Sequence, residues 1–226
     1  MKGYGQFCPV AKGAEIFGER WTPLIVRELM CGSHRFNDLR RGNPLMSPSM
    51  LSQRLKSLET AGVVERREAT DGSDATEYHL TPAGEDLGPI VMQLGMWGQR
   101  WARAQLTPED YDPALLMWDM RRRIDVQQFP REARTVLFFE FLDAPRKTRF
   151  WWLVVSHGEA DLCLKNPGYD VDLHVRSTIE TMCEIWMGNS TVRRGVRDGD
   201  LQLLGKPDLQ RGLERWLGYS VFAQTG

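Results

Sequence analysis

The feature that most constrains this chain is a change of period at Gly62. Before it, Leu51, Leu55 and Leu58 fall at i, i+4 and i+7, so residues 48–61 predict a helix with one buried face. Ser47 is placed to cap that helix and Pro48 to start it. After Gly62, "VVERRE" and "TEYHLT" read as two strands, joined by "ATDGSDA", where Asp71-Gly72 signals a turn. The helix has an unusual outer surface. Ser49, Gln53 and Lys56 lie opposite the leucines, Ser52 and Arg54 flank them, and no acid occurs from 47 to 58. A helix that merely faces water usually carries acids and bases at i, i+4. This one offers short hydrogen-bonding groups and one lysine.

The chain before this stretch is also helical by pattern. "CPVAKGAEIFGERW" puts Val10, Ala14 and Phe17 at helical spacing, with Gly18 as a stop. In "TPLIVRELMCG", Thr22 is the expected cap, Leu24, Ile25 and Leu29 the buried stripe, and Gly32 the end. "RFNDLRRGNP" predicts a short helix with Phe36 and Leu39 inward. Beyond the ribbon, Thr81-Pro82 opens one further helix of about twenty residues. Its stripe is Leu87, Val91, Leu94, Trp97 and Trp101, and Gly88, Gly95 and Gly98 would let a second helix come close.

"LTPEDYDPA" breaks the pattern, which places a boundary between domains 1–106 and 107–226. In the second half, "PALLMWDMRRRI" is helical. "TVLFFEFLD", "RFWWLVVSHGE", "ADLCLKNPG" and "VDLHVRS" are strand-like. "TIETMCEIWMG" is a helix, "DLQLLGKP" a strand and "PDLQRGLERWLG" a last helix. The expected fold class is α+β, a mostly α first domain with a two-stranded ribbon and a second domain with an antiparallel sheet.

Charge and chemistry narrow the function. The net charge of −1 announces no partner, but residues 20–67 hold nine Lys/Arg against four Asp/Glu. The four cysteines, at 8, 31, 163 and 183, form no CxxC pair and have no histidine cluster beside them, so neither a metal nor another cofactor is expected. No nucleophile elbow, phosphate loop or dinucleotide fingerprint occurs, and "GNSTVRRG" lacks both the Lys-Ser/Thr and the preceding strand. His34, His79, His157 and His174 are scattered, and the Glu159/Asp161 pair reads as a solvated edge. An enzyme is not expected. The start of the chain lacks the apolar core of a signal peptide and no run is long enough to span a bilayer, so no membrane is expected and the cytoplasm is the expected location.

Helix, short helix, helix and β-ribbon is the order of a winged helix-turn-helix, whose second helix of the pair enters the DNA major groove. Ser49, Ser52, Gln53 and Lys56 suit that place. Serine meets base edges or phosphates, glutamine can pair adenine, and lysine anchors phosphate or guanine.

At these residues the sequence resembles the HxlR family of MarR-like regulators. The resemblance rests on "CPVAKGAEIFGERWTPLIVREL", "RFNDLRRG", "SPSMLSQRLKSLETAGVVERR" and "EYHLTPAG", which cover residues 8–101 nearly without gaps. It implies a homodimer built from the first helix and the long helix after the wing, with double-stranded DNA as partner. It implies that Arg35, Ser47, Ser49, Gln53 and Lys56 lie at the duplex, with Arg66 and Arg67 near the wing base. It also makes Cys8 a candidate redox sensor, since some members respond to oxidants through the matching cysteine. One departure is the acidic wing tip, "ATDGSDA", which argues against a basic side chain entering the minor groove.

The second half resembles a sterol-carrier-protein type domain, over roughly 130–223. The carriers are "RFWWLVVSHGEADLCLKNPGYDVDLHV", "TIETMCEIWMG" and "VRRGVRDGDLQLLGKPDLQRGLERWLGYSVFA". It implies helices and a sheet around an apolar cavity that Trp152, Leu164, Met182, Ile185 and Trp186 would line, and an apolar small-molecule ligand. The expectation is a dimeric transcriptional regulator, with a sensor-like second domain. The rival readings are a lipid carrier whose winged helix serves dimerisation, and an enzyme built on the second-domain cavity.

Overall fold

The computed structural model describes residues 3–69 and 71–223. The chain divides into two units, Met1–Gly95 and Met96–Gly226, each with its own apolar core. The division falls within one helix, α6 (Gly88–Trp101).

The first unit runs α1 (Pro9–Phe17), α2 (Thr22–Met30), α3 (Phe36–Arg41), α4 (Pro48–Thr60), β1 (Val64–Glu68), β2 (Thr76–Leu80) and α5 (Pro82–Glu85). Leu51, Leu55 and Leu58 of α4 are buried against Ile25, Val26 and Leu29 of α2 and Leu39 of α3 in one cluster. Gly62, at φ +71°, takes the left-handed turn that ends α4 and admits β1. β1 and β2 pair antiparallel, Val64 opposite Leu80 and Glu68 opposite Thr76. This is the winged helix-turn-helix arrangement, and with the second unit it makes the chain α+β.

Three local expectations are corrected here. Val10 and Leu24, placed inward by spacing, are exposed, while Ala11 and Val26 are buried. Thr22 is the first residue of α2, not its cap. Trp21 holds the cap position with φ +78°, which turns its ring against the first core. The single long helix expected from Thr81 is two, α5 and α6, parted at Asp86 and Leu87. Gly84 and Gly88 bracket the break, and each glycine weakens a helix interior by about 1 kcal/mol.

The second unit is one five-stranded sheet with helices packed on it. Its elements are α7 (Pro113–Arg123), β3 (Thr135–Phe141), β4 (Phe150–Ser156), β5 (Glu159–Cys163), β6 (Leu173–Ser177), α8 (Ile179–Trp186), α9 (Val192–Asp198), β7 (Leu201–Gly205), α10 (Pro207–Arg211) and α11 (Leu213–Trp216). α9, capped by Thr191, was not read from the sequence, and the expected last helix is the pair α10 and α11.

The sheet order is β5-β4-β3-β6-β7, and β3 and β6 run parallel. The antiparallel sheet expected from sequence is therefore a mixed one. Register explains how so short a link makes the crossover. Cys163 ends β5 level with Trp152 and Phe138, and Leu173 begins β6 level with Leu137. The nine residues between them need only cross three strand spacings, about 14 Å, well within their extended reach of about 30 Å. No helix is required to bring the chain back.

Candidate nucleic-acid interface

The expected reading helix, α4, is fixed at its start and at its middle. Ser47 Oγ accepts from the amide of Met50 at 3.2 Å, the N-cap expected of it. Arg54, half-buried on the flank, donates to Glu19 at 3.0 Å and ties α4 to the turn between α1 and α2.

The turn that delivers α4 hangs on a fully buried acid. Glu28 of α2 accepts from Arg27 at 2.7 Å and from the Ser33 hydroxyl at 3.1 Å. Its carboxylate lies against the backbone of Gly42, at the end of α3. A Cβ at position 42 would run into the Glu28 carboxyl group, so any larger residue must displace that buried acid. A buried charge costs several kcal/mol unless it is paired and hydrogen-bonded, and here it is both. The sequence reading missed this group. Its signal was an acid among the apolar positions of "TPLIVRELM".

Above this frame, Ser49, Ser52, Gln53 and Lys56 are all exposed on one side of α4. Ser49 Oγ lies 3.2 Å from Ser47 Oγ. Among the described residues, the side chains of Ser52, Gln53 and Lys56 have no protein partner. The face is open, uncharged but for Lys56, and free to exchange water for another ligand.

The ribbon stands beside it. The Tyr78 amide donates to the carbonyl of His34 at 2.8 Å, and Arg35 bridges to Glu77, so the segment before α3 is stitched to β2. The rings of His34 and His79 stack at 4.2 Å on this seam. Arg35 does not reach out unaccompanied. It donates to Asp71 at 2.5 Å and to Ser73 at 3.4 Å, and Glu77 lies 3.6 Å from its Nε. The hydrogen bond to Asp71 raises the guanidinium pKa further. Hydrogen bonds from Ser73 first and Arg35 second hold the Asp71 carboxyl down to about 2. Arg66 and Arg67 are exposed on β1. Arg66 lies 6.0 Å over the Tyr78 ring, and Arg67 donates to Glu65. Of the wing-tip loop, Thr70 lies outside the described residues.

The other sequence-predicted positions are spread out. Cys8 is half-buried at the cap of α1. Met182, Ile185 and Trp186 are buried in the second core together with Trp151. Trp152 is the next residue on β4 and points to the opposite sheet face, and Leu164 is exposed. These five residues are not brought together around one cavity. Among the described residues no group of His, Cys, Asp and Glu could hold a metal ion, and no helix is long and apolar enough to cross a membrane.

The chain has relatives in sequence. The pattern of the HxlR-like helix-turn-helix family matches residues 16–106. The HTH-type transcriptional regulator YvaP of Bacillus subtilis (strain 168) is 38% identical over 97 residues, which span 42% of this chain and 90% of that protein. The chain belongs to the HxlR-like helix-turn-helix family. A second HTH-type transcriptional regulator of the same organism, YkvN, is 34% identical over 105 residues, covering 46% of this chain and 89% of that one. The oxidised redox regulator HypR is similar in structure at 34% identity, over 41% of this chain and 96% of that chain, with a TM-score of 0.39. As an HxlR-like protein, the chain is a transcriptional regulator whose helix-turn-helix region binds DNA.

Proposed function

We propose that this chain is a homodimeric, sequence-specific regulator that reads duplex DNA with the outer face of α4. The observation that carries this reading is the face itself, with Ser49, Ser52, Gln53 and Lys56 exposed on a capped helix that has no acid from 47 to 58. In this reading Gln53 and Ser52 meet base edges, Lys56, Ser47 and Ser49 meet phosphate, and Arg35, Arg66 and Arg67 flank the backbone. Dimerisation is supported by α6, which leaves Ile90, Leu94, Trp97 and Trp101 exposed at helical spacing, and by Tyr4, Phe7 and Val10, exposed at the start of the chain. Two copies would set two reading helices in successive major grooves, about 10 base pairs apart.

The proposed domains are 1–106 for DNA and dimer contacts and 107–226 as a sterol-carrier-like unit that takes an apolar small molecule. A single sheet with helices packed on one face supports the latter. Such a ligand would change DNA affinity by its difference in affinity for two arrangements of the dimer, and a coupling of about 1–3 kcal/mol is enough for regulation.

The test is a gel-shift and salt titration on an operator selected from random duplexes. Gln53→Ala with Lys56→Ala should remove sequence preference. Lys56→Ala alone should reduce the salt slope by about one unit. Unchanged operator affinity in the double variant removes the reading in favour of a carrier whose winged helix serves only to dimerise. Unchanged DNA affinity across a broad lipid panel removes ligand control and leaves DNA reading in place.

A further inference from the structure

The helices of the second unit pack on one face of its sheet, where Leu137, Phe139, Trp151 and Leu153 join the buried core. The alternate residues point to the other face. Among the described residues, Phe138 and Trp152 stand outside that core, and Glu140, His174 and Arg176 share their face by register.

Register sets Trp152, Phe138 and His174 side by side on three adjacent strands. The Phe138 ring centroid is 4.8 Å from that of Trp152, at an interplanar angle of 27°, and 4.6 Å from that of His174, at 38°. The Phe138 and Trp152 rings, stacked at about one strand separation, stand on edge along the sheet, while the Nε2 edge of His174 is buried beside Glu140. Ring edges are the electropositive part of an aromatic side chain. The row is therefore an apolar shelf that favours the electron-rich face of a flat ring laid across it.

Two residues further along the strands, Glu140 lies opposite Phe150 and Arg176. Its carboxylate accepts from Arg149 at 2.8 Å and 3.2 Å and from Arg176 at 2.9 Å. Arg176 also donates to Gln202 at 3.1 Å. Two guanidinium groups share one carboxylate, so a positive charge is left over. Among the described residues Nη1 of Arg149 and Nη2 of Arg176 make no hydrogen bond, and the Arg149 guanidinium lies 5.5 Å over the Phe150 ring. Free guanidinium N–H groups at the end of a shelf suit a carboxylate. A second copy of the same face would bring a like charge against it, which opposes self-association through this surface.

We propose that the outer face of this sheet binds a flat aromatic carboxylate, with its ring across Trp152, Phe138 and His174 and its carboxylate on Arg149 and Arg176. The site goes beyond the regulatory reading above and holds whether or not its occupancy alters DNA binding.

Isothermal titration of the full chain with naphthoate, naphthamide and decanoate tests it. Saturable binding is expected for naphthoate alone. Arg176→Gln and Trp152→Leu should each weaken it about tenfold or more. Far-ultraviolet circular dichroism shows whether each variant folds, and Arg149→Gln reports on the charge if Arg176→Gln does not. The proposal is overturned if naphthamide binds as tightly as naphthoate or if decanoate binds equally well. It also fails if the arginine variants keep the parent affinity, or if Trp152→Leu changes the size of the assembly, which would place another copy on this face.

Discussion

The guanidinium of Arg35 meets the carboxylate of Asp71 at 2.5 Å, joining the start of α3 to the wing loop. Asp71 is in turn held by the amide and hydroxyl of Ser73, at 3.1 Å and 2.6 Å. A cation expected at the duplex is thus already occupied by an acid. DNA phosphate must compete with Asp71 for it. Asp71→Asn should raise affinity for any duplex several-fold and steepen the salt dependence by about one unit, without changing sequence preference. Fluorescence anisotropy over a salt series measures both. A variant with parent affinity and slope would show that Arg35 makes no phosphate contact.

The same pair predicts a pH window. Hydrogen bonds from Ser73 and Arg35 set the folded carboxyl at about 2, below its ordinary value of 3.8. A depressed acid stabilises the fold above its unfolded value, and that contribution is lost as pH falls through the folded value. The clamp should therefore be intact at neutral pH, give up its contribution to stability as pH falls from about 3.8 to about 2, and open at and below the lower value. Asp71→Asn should lose the acid-side decline that the parent shows there. A carboxyl titration by NMR that ends near the ordinary value would count against the clamp.

Gly42 is the most demanding position beneath α4. Gly42→Ala drives a methyl into the Glu28 carboxylate and should lower first-unit stability by about 2–4 kcal/mol. Thermal unfolding should show the loss in one transition. The second unit, with its separate core, should keep its own midpoint. An unshifted first transition would mean that Glu28 can vacate its place at little cost.

The reading helix was legible because three leucines at helical spacing and a Ser-Pro start leave little choice of face. The winged order of the first unit followed from one change of period at Gly62. Other features were set by contacts between residues far apart in sequence. Trp21 replaces Thr22 as the α2 cap because its ring finds the core. The parallel pairing of β3 with β6 depends on the level at which β5 stops. Strand-like segments separated by turn signals look alike in either sense. The Glu28, Ser33 and Gly42 group was invisible for a related reason, since Gly42 reads as a helix end until the acid behind it is known.

α6 carries a prediction about assembly. Leu94 is 48% exposed and Trp97 57%, large apolar groups on a helix whose Val91 is buried. If a second copy covers them, Leu94→Glu with Trp97→Glu should convert a dimer to single chains and weaken operator binding by orders of magnitude, because two half-sites no longer act together. Sedimentation equilibrium decides this independently of DNA. A parent chain already running as a monomer would end the two-fold reading.

His174 gives the second unit a pH dependence of its own. Burial lowers its pKa from 6.5, nearby Glu140 opposes that shift, and Arg176 adds to it. Its Nε2 lies 3.3 Å from Glu140, an acid already serving two arginines. The folded protein therefore binds a proton at His174 less readily than the unfolded chain does. By linkage, stability is full above the unfolded value and falls as pH drops through it toward the folded one. As pH falls below the ordinary value of 6.5 the midpoint of the second unit should decline, and His174→Gln should flatten that decline while leaving the first unit's profile unchanged. A parent profile level over this range would show that Glu140 fully compensates for burial and that His174 is free to charge in the folded state.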